Sequence, residues 1–210
     1  MPSKDEVPMG KVIVDTDFLN HILKTPNGEE LMQKIVDFYG YELVMHPWVY
    51  EREIKGISTV ADAYVQKNVK VLEYSEFLET EDDKALYEIY FLDLYRIMNR
   101  NESVDESYRS FETYNKAGKN LGEIHSVILA RFSGIPLLLS DDYNAKEIAA
   151  KRINADGYLL DVKKSFDIMC DMVKADKTAL SYNDALAVIR NYKQDYQKAY
   201  IKAIKQLYTN

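Results

Sequence analysis

The chain has 210 residues, 47% of them hydrophobic and 29% charged, and a formal net charge of −7. That is enough apolar matter for one sizeable core, and the acidic balance weighs against a protein that binds through a broadly basic surface. A single cysteine, Cys170, excludes an internal disulfide and reads as a small buried hydrophobe in a reducing compartment. No Cys/His spacing suits zinc, and no apolar run has signal-peptide or bilayer-spanning length. A cytoplasmic protein with no membrane partner is expected.

The run Lys11 to Asp15, KVIVD, is short, β-branched and apolar, and it ends in a carboxylate. It predicts a strand buried on both faces, as in a parallel sheet. Phe18 to Leu23 opens a helix, and Pro26-Asn27-Gly28 is a turn. Glu29 to Tyr39 is a helix with Leu31, Ile35 and Phe38 on its apolar side. Tyr41 to His46 is a second strand. Pro47 holds His46 extended and suits the first position of a short helix, Trp48 to Ile54. Val69 to Tyr74 is a third strand. Thr80 to Arg100 is a helix, opened by Thr80 and Asp83 at capping-box spacing, with Leu86, Tyr90, Leu94, Ile97 and Met98 facing inward. Asn101 to Asn120 is polar and reads as an exposed helix or an irregular insertion. Leu121 to Phe132 is a helix closed by Gly134-Ile135-Pro136. Leu137 to Ser140 is a fourth strand that leaves through Asp141-Asp142. Asn144 to Ile153 is a helix, and Gly157 to Val162 a weaker fifth strand. Ser165 to Val173 and Ser181 to Leu207 are helices, the last carrying Ile189, Tyr192, Tyr196, Tyr200, Ala203 and Leu207 in one stripe.

Alternating strands and helices predict an α/β fold: a three-layer α/β/α sandwich around a mostly parallel sheet of four to five strands, with C-terminal helices added. The expected division is a tail over 1–10, a main domain over 11–180, and a C-terminal helix over 181–210 that packs on it or forms a homodimer. That last helix carries Arg190, Lys193, Lys198, Lys202 and Lys205. A solvated face is the default reading for them, and a guide for a nucleic-acid backbone the alternative.

In open parallel sheets, ligands bind at the carboxyl ends of strands. Asp15 ends the first strand, and Asp141 and Asp142 end the fourth. Glu51 lies one turn past the second strand, and Glu123 opens the helix that feeds the fourth. The topology therefore gathers these acids at one rim of the sheet. Any one of them alone is more often a solvated charge; their coincidence at matching element ends carries the reading. Carboxylates packed together resist ionising, and a divalent cation relieves that repulsion. Oxygen-only ligands select Mg²⁺ or Mn²⁺, which act on phosphoryl groups, so hydrolysis of phosphate esters is expected.

Three blocks carry a resemblance. They are VIVDTDFLN from Val12 to Asn20, HPWVYEREI from His46 to Ile54, and LGEIHSVILARFSGIPLLLSDDYNAKEIA from Leu121 to Ala149. In order and spacing they resemble the PIN domain, the metal-dependent nuclease fold of VapC-type toxins and several RNA-processing enzymes. The similarity covers roughly Lys11 to Ser181. It implies that Asp15, Glu123 and Asp142 hold the metal, with Asp141 as the alternative fourth ligand. It implies that Glu51 completes the catalytic set directly or through water, and that Asp17 and Ser140 support it. RNA is then the expected partner and endoribonuclease the expected activity; a toxin role would add an antitoxin protein. Four features depart from the pattern. Asp17 stands where Ser, Thr or Asn is usual, Glu123 replaces the commoner Asp, Glu79 to Asn120 is long for a compact toxin, and the C-terminal helix from Ser181 is additional.

Two rival readings exist. Asp15-Thr16-Asp17 also resembles the DxD of a haloacid-dehalogenase-type phosphatase, with Asp15 as nucleophile, Asp17 as general acid and Mg²⁺ as cofactor. Phe18 and Leu19 depart from the small residues usual there, and Glu51 and Glu123 would be left without a role. The third reading is a non-catalytic PIN-like binding or scaffold protein, against which every acidic position is filled. His21, His46 and His125 read as structural histidines. Trp48 and the recurring tyrosines read as core or interface rather than as base-stacking groups.

Overall fold

The strands are β1 (Gly10–Val14), β2 (Tyr41–Met45), β3 (Lys70–Val71), β4 (Leu137–Leu139) and β5 (Asp161–Lys163). In the computed structural model, which describes residues 10–209, they form one all-parallel sheet of order β3-β2-β1-β4-β5. The charged segment expected to be a tail lies, up to residue 9, outside the described residues. The helices are α1 (Thr16–Leu23), α2 (Gly28–Tyr39), α3 (Pro47–Val49), α4 (Thr59–Asn68), α5 (Glu81–Met98), α6 (Leu121–Ser133), α7 (Lys151–Ala155), α8 (Ser165–Ala175), α9 (Tyr182–Ile189) and α10 (Gln194–Thr209). Helix α1 packs against α2, α4 and α8, while α6 packs against α5 and α7, so the sheet is sandwiched in three layers as expected. Among the described residues no helix is long and apolar enough to cross a membrane.

The β-branched run Val12-Ile13-Val14 is wholly buried, which fits a central strand flanked on both sides. Register pairs Ile13 with Val44 of β2, and Val14 with Leu139 of β4. One residue further, Asp15 lies level with Ser140. The Asp15 amide donates to the Leu139 carbonyl at 2.9 Å, and the Ser140 amide donates to the Lys163 carbonyl at 3.1 Å. The chain builds outward from β1 to β3, returns through α5 and α6, and builds outward again from β4. Connections on the two sides of the β1–β4 seam therefore leave for opposite faces, which opens a crevice at the carboxyl ends of these strands.

Several elements differ from the sequence expectation. Residues Thr59–Asn68 form a helix that no pattern announced, and the third strand shrinks to two residues followed by turns. Helix α5 begins at the predicted Thr80–Asp83 capping box but buries Tyr87, Phe91, Leu94, Tyr95 and Met98, leaving Leu86 44% exposed. Phe38 of α2 is likewise turned outward. The polar stretch after α5 is irregular, and it closes over the core with Phe111 and Tyr114. The expected single C-terminal helix is broken between α9 and α10, where Tyr192 is drawn inward.

A buried polar cluster explains the rotation of α5. His46, Tyr87 and His125 are fully buried, and the Tyr87 hydroxyl lies 3.0 Å from His46 Nε2 and 2.7 Å from His125 Nδ1. His46 Nδ1 accepts the Trp48 amide at 3.0 Å, capping α3, so its proton sits on Nε2 and is donated to Tyr87. Tyr87 in turn donates to His125 Nδ1. Burial holds the pKa of both histidines down, that of His125 to about 3. Trp48 stacks on His125 at 4.9 Å, and its indole donates to the Tyr114 carbonyl at 3.0 Å. The cluster ties the end of β2 to α5 and α6, and α6 carries Glu123. Replacing Tyr87 with Phe removes both bonds of the bridge and strands two buried ring nitrogens. The expected cost is about 1–3 kcal/mol, read as a lower urea midpoint at unchanged slope. An unchanged midpoint would mean that the bridge contributes nothing.

Candidate metal centre

Asp15 closes β1 and opens α1. Its carbonyl accepts the Leu19 amide, and its side chain caps the helix by accepting the Thr16 amide at 2.9 Å. Two hydroxyls complete its shell: Ser126 donates to Oδ1 at 3.4 Å and Ser140 donates to Oδ2 at 3.1 Å. The residue is only 2% exposed. Burial raises its pKa well above the usual carboxylate range, and the charges of Glu123, Glu53 and Asp17 add to the rise.

Three further acids stand around it. Asp17 lies in the first turn of α1, Glu123 in the first turn of α6, and Asp142 just past β4. One oxygen of each of these three lies within 4.8 Å of the others. Asp142 is held by the amides of Asn144 and Ala145, which donate to its Oδ1, and its own amide donates to the Ser140 hydroxyl at 3.3 Å. Ser140 therefore couples Asp15 to Asp142. Burial pushes Glu123 up to about 8, with the charge of Asp142 as the next cause. The pKa of Asp17 is also raised, by burial first and by Asp142 and Asp141 among its neighbours.

After the second strand the acid that turns inward is Glu53, while Glu51 faces outward. Residues Tyr50–Ile54 form a π-helical turn after α3. This wider turn leaves Glu51 exposed, paired with Lys55 at 2.7 Å on the outer surface. Glu53 instead points inward, accepts the Thr16 hydroxyl at 2.7 Å and has its pKa raised by burial. Room for it comes from Gly122: a Cβ at that position would stand 2.5 Å from Glu53 Oε1. Two sequence signals pointed this way. Glu51 and Lys55 have the i,i+4 spacing of a solvent-side ion pair, and Glu53 lies four residues beyond the buried Val49.

Asp141 is committed elsewhere. Its side chain accepts the Ser165 amide at 2.9 Å and the Tyr192 hydroxyl, and it pairs with His21 Nδ1 at 2.6 Å. These bonds use both oxygens, and Asp141 is not among the three acids whose oxygens lie within 4.8 Å of one another. Asp142, rather than Asp141, meets Glu123. Asp17 joins these two, and Asp15 stands behind them with both oxygens already hydrogen-bonded. Sequence reasoning passed over Thr16, Ser126, Gly122 and Glu53.

The arrangement suits a hard cation. Every group is an oxygen donor, and among the described residues no Lys or Arg forms an ion pair with Asp15, Asp17, Glu53, Glu123 or Asp142. Comparison with protein-family models, with curated proteins and with solved structures gave no match.

The raised Glu123 sets a pH dependence. Its folded pKa of about 8 exceeds the ordinary 4.5, so the stability tied to its protonated form is full below about 4.5 and is lost as pH rises through about 8. With EDTA present, the melting temperature of the wild type should fall from about pH 5 to about pH 9. Glu123→Gln should flatten that fall, with its advantage growing as pH rises. Parallel curves for the two proteins would contradict the assignment.

Proposed function

We propose that the protein is a metal-dependent nuclease of the PIN-like type, which hydrolyses phosphodiester bonds with Mg²⁺ or Mn²⁺. One observation carries this: Asp17, Glu123 and Asp142 converge at the switch point of a parallel sheet, around a buried Asp15, and among the described residues no Lys or Arg forms an ion pair with them. Several carboxylates with raised pKa values held this close form a site that a dication stabilises. The resemblance of the three acid-bearing blocks points the chemistry to phosphodiesters and favours RNA.

In this reading Asp17, Glu123 and Asp142 hold the ion. Asp15 adds charge from behind and fixes Asp142 through Ser140. Glu53 faces the site from the π-helical turn, steadied by Thr16. A bound dication lowers the pKa of a coordinated water and offsets charge on the attacking and leaving oxygens. A cleft lined by Lys164, just before α8, and by Tyr196 and Tyr200 of α10 opens beside Asp17 and Asp142. The phosphatase alternative is weaker, because its nucleophile would be Asp15, which is buried and already accepts three hydrogen bonds.

Cleavage of mixed RNA in Mn²⁺ should stop on addition of EDTA. Loss of an outer-shell partner at a metal site typically costs about 10- to 100-fold. Glu123→Gln and Asp142→Asn should therefore lower the rate at least about 100-fold, and Glu53→Gln by about 10- to 100-fold. Glu51→Gln should leave it unchanged. Cleavage indifferent to Glu123→Gln would overturn the reading. Turnover of a phosphomonoester, blocked by beryllium fluoride and without cleavage of RNA, would move it to the phosphatase.

A further inference from the structure

A cleft of about 350 Å³ opens directly from Asp17 and Asp142 and runs to the break between α9 and α10. Its walls combine two chemistries. Tyr143 is 60% exposed and Tyr196 48% exposed, and both present ring surface to the cleft. Lys164 and Lys193 line it as well, and among the described residues neither forms an ion pair. Lys164 Nζ lies 5.9 Å from the centre of the Tyr143 ring.

The tyrosine wall is backed by a rigid stack. Tyr196 stacks on Tyr200 at 6.0 Å and 25°, and Tyr200 stacks on Phe166 at 3.9 Å and 6°. Tyr192 meets Tyr200 edge-on at 5.0 Å and is itself pinned by Asp141 and Ser165. Rings held in this way lose little freedom when a further planar group joins the stack. Exposed rings and cations without ion pairs thus line one cleft beside the acids Asp17 and Asp142.

We propose that this cleft binds single-stranded nucleic acid and feeds it to the neighbouring carboxylates. Nucleobases stack on Tyr143 and Tyr196, and Lys164 and Lys193 take adjacent phosphates. Only an unpaired strand offers free base faces; in a duplex the faces are covered by neighbouring base pairs. Of the basic residues on the C-terminal segment, Lys193 alone lines the cleft, so the remainder of that helix is not the guide. The proposal rests on the phosphodiester reading of the adjoining acids, but it is tested separately.

Binding is measured in a Glu123→Gln background, where cleavage does not intervene, by fluorescence anisotropy of a labelled single strand of about twelve nucleotides. The single strand should bind at least about tenfold more tightly than its duplex. Tyr143→Ala with Tyr196→Ala should weaken binding by about tenfold or more. Lys164→Ala with Lys193→Ala should weaken it too, and lower the slope of log affinity against log salt by about 1.4. Lys205→Ala, on the exposed surface of α10 away from the cleft, should change neither. Equal binding of duplex and single strand, or binding that survives both double variants, overturns the proposal. Wild type that binds the strand as described yet cleaves nothing in Mn²⁺ sinks the nuclease reading and leaves the strand site standing. Wild type that cleaves RNA while the cleft variants bind undiminished sinks the strand site alone.

Discussion

A carboxylate taken out of water must be met by hydrogen bonds or by opposite charge. Asp15 is met by the first kind of partner: the Thr16 amide and the hydroxyls of Ser126 and Ser140. Much of the site follows from how those partners are shared. Ser140 also receives the Asp142 amide, and Thr16 also donates its hydroxyl to Glu53. The end of β1, the turn after β4 and the turn after α3 are thereby tied to one buried group. Asp17 and Glu123 then complete a crowd of like charges in which full ionisation is opposed; burial first, and the charge of Asp142 next, push Glu123 up to about 8.

The central strand and its terminal acid were legible because β1 is a pure β-branched run that breaks at a carboxylate. The same holds for β4 and the acids beyond it, where strand ends and acids coincide in sequence. Legibility failed where a tertiary partner decided the outcome. The face of α5 turned by one position because Tyr87, unlike Tyr90, can bridge two histidines in the core. Asp141 and Asp142 are adjacent and chemically alike, and only the contacts of Tyr192, Ser165 and His21 separate a committed carboxylate from an available one. The inward turn of Glu53 is hidden from helical counting, which assumes 3.6 residues per turn, because this turn is wider.

The C-terminal segment shows the same rule at larger scale. Its tyrosines recur at helical spacing and read as a stripe on one continuous helix. Tyr192 leaves that stripe, donates to Asp141 and reaches Ser165, and the chain breaks around it. The break gives α10 a new direction, so Tyr196 and Tyr200 stack beside the acids rather than continuing the line of α9. Tyr192 thus stands where the helix of sixteen residues begins its own course.

The π-helical turn at Tyr50–Ile54 constrains the chain in length more tightly than in composition. Side chains around it can vary at the surface, as the exposed pair of Glu51 and Lys55 illustrates. A residue gained or lost between Pro47 and Glu53 is another matter, since each step along a helix turns the side chain by about 100°. One insertion would present Arg52 where the acid now stands, and one deletion would present Ile54. The position facing Gly122 would change from anion to cation or hydrocarbon by a shift of frame, without a single substitution.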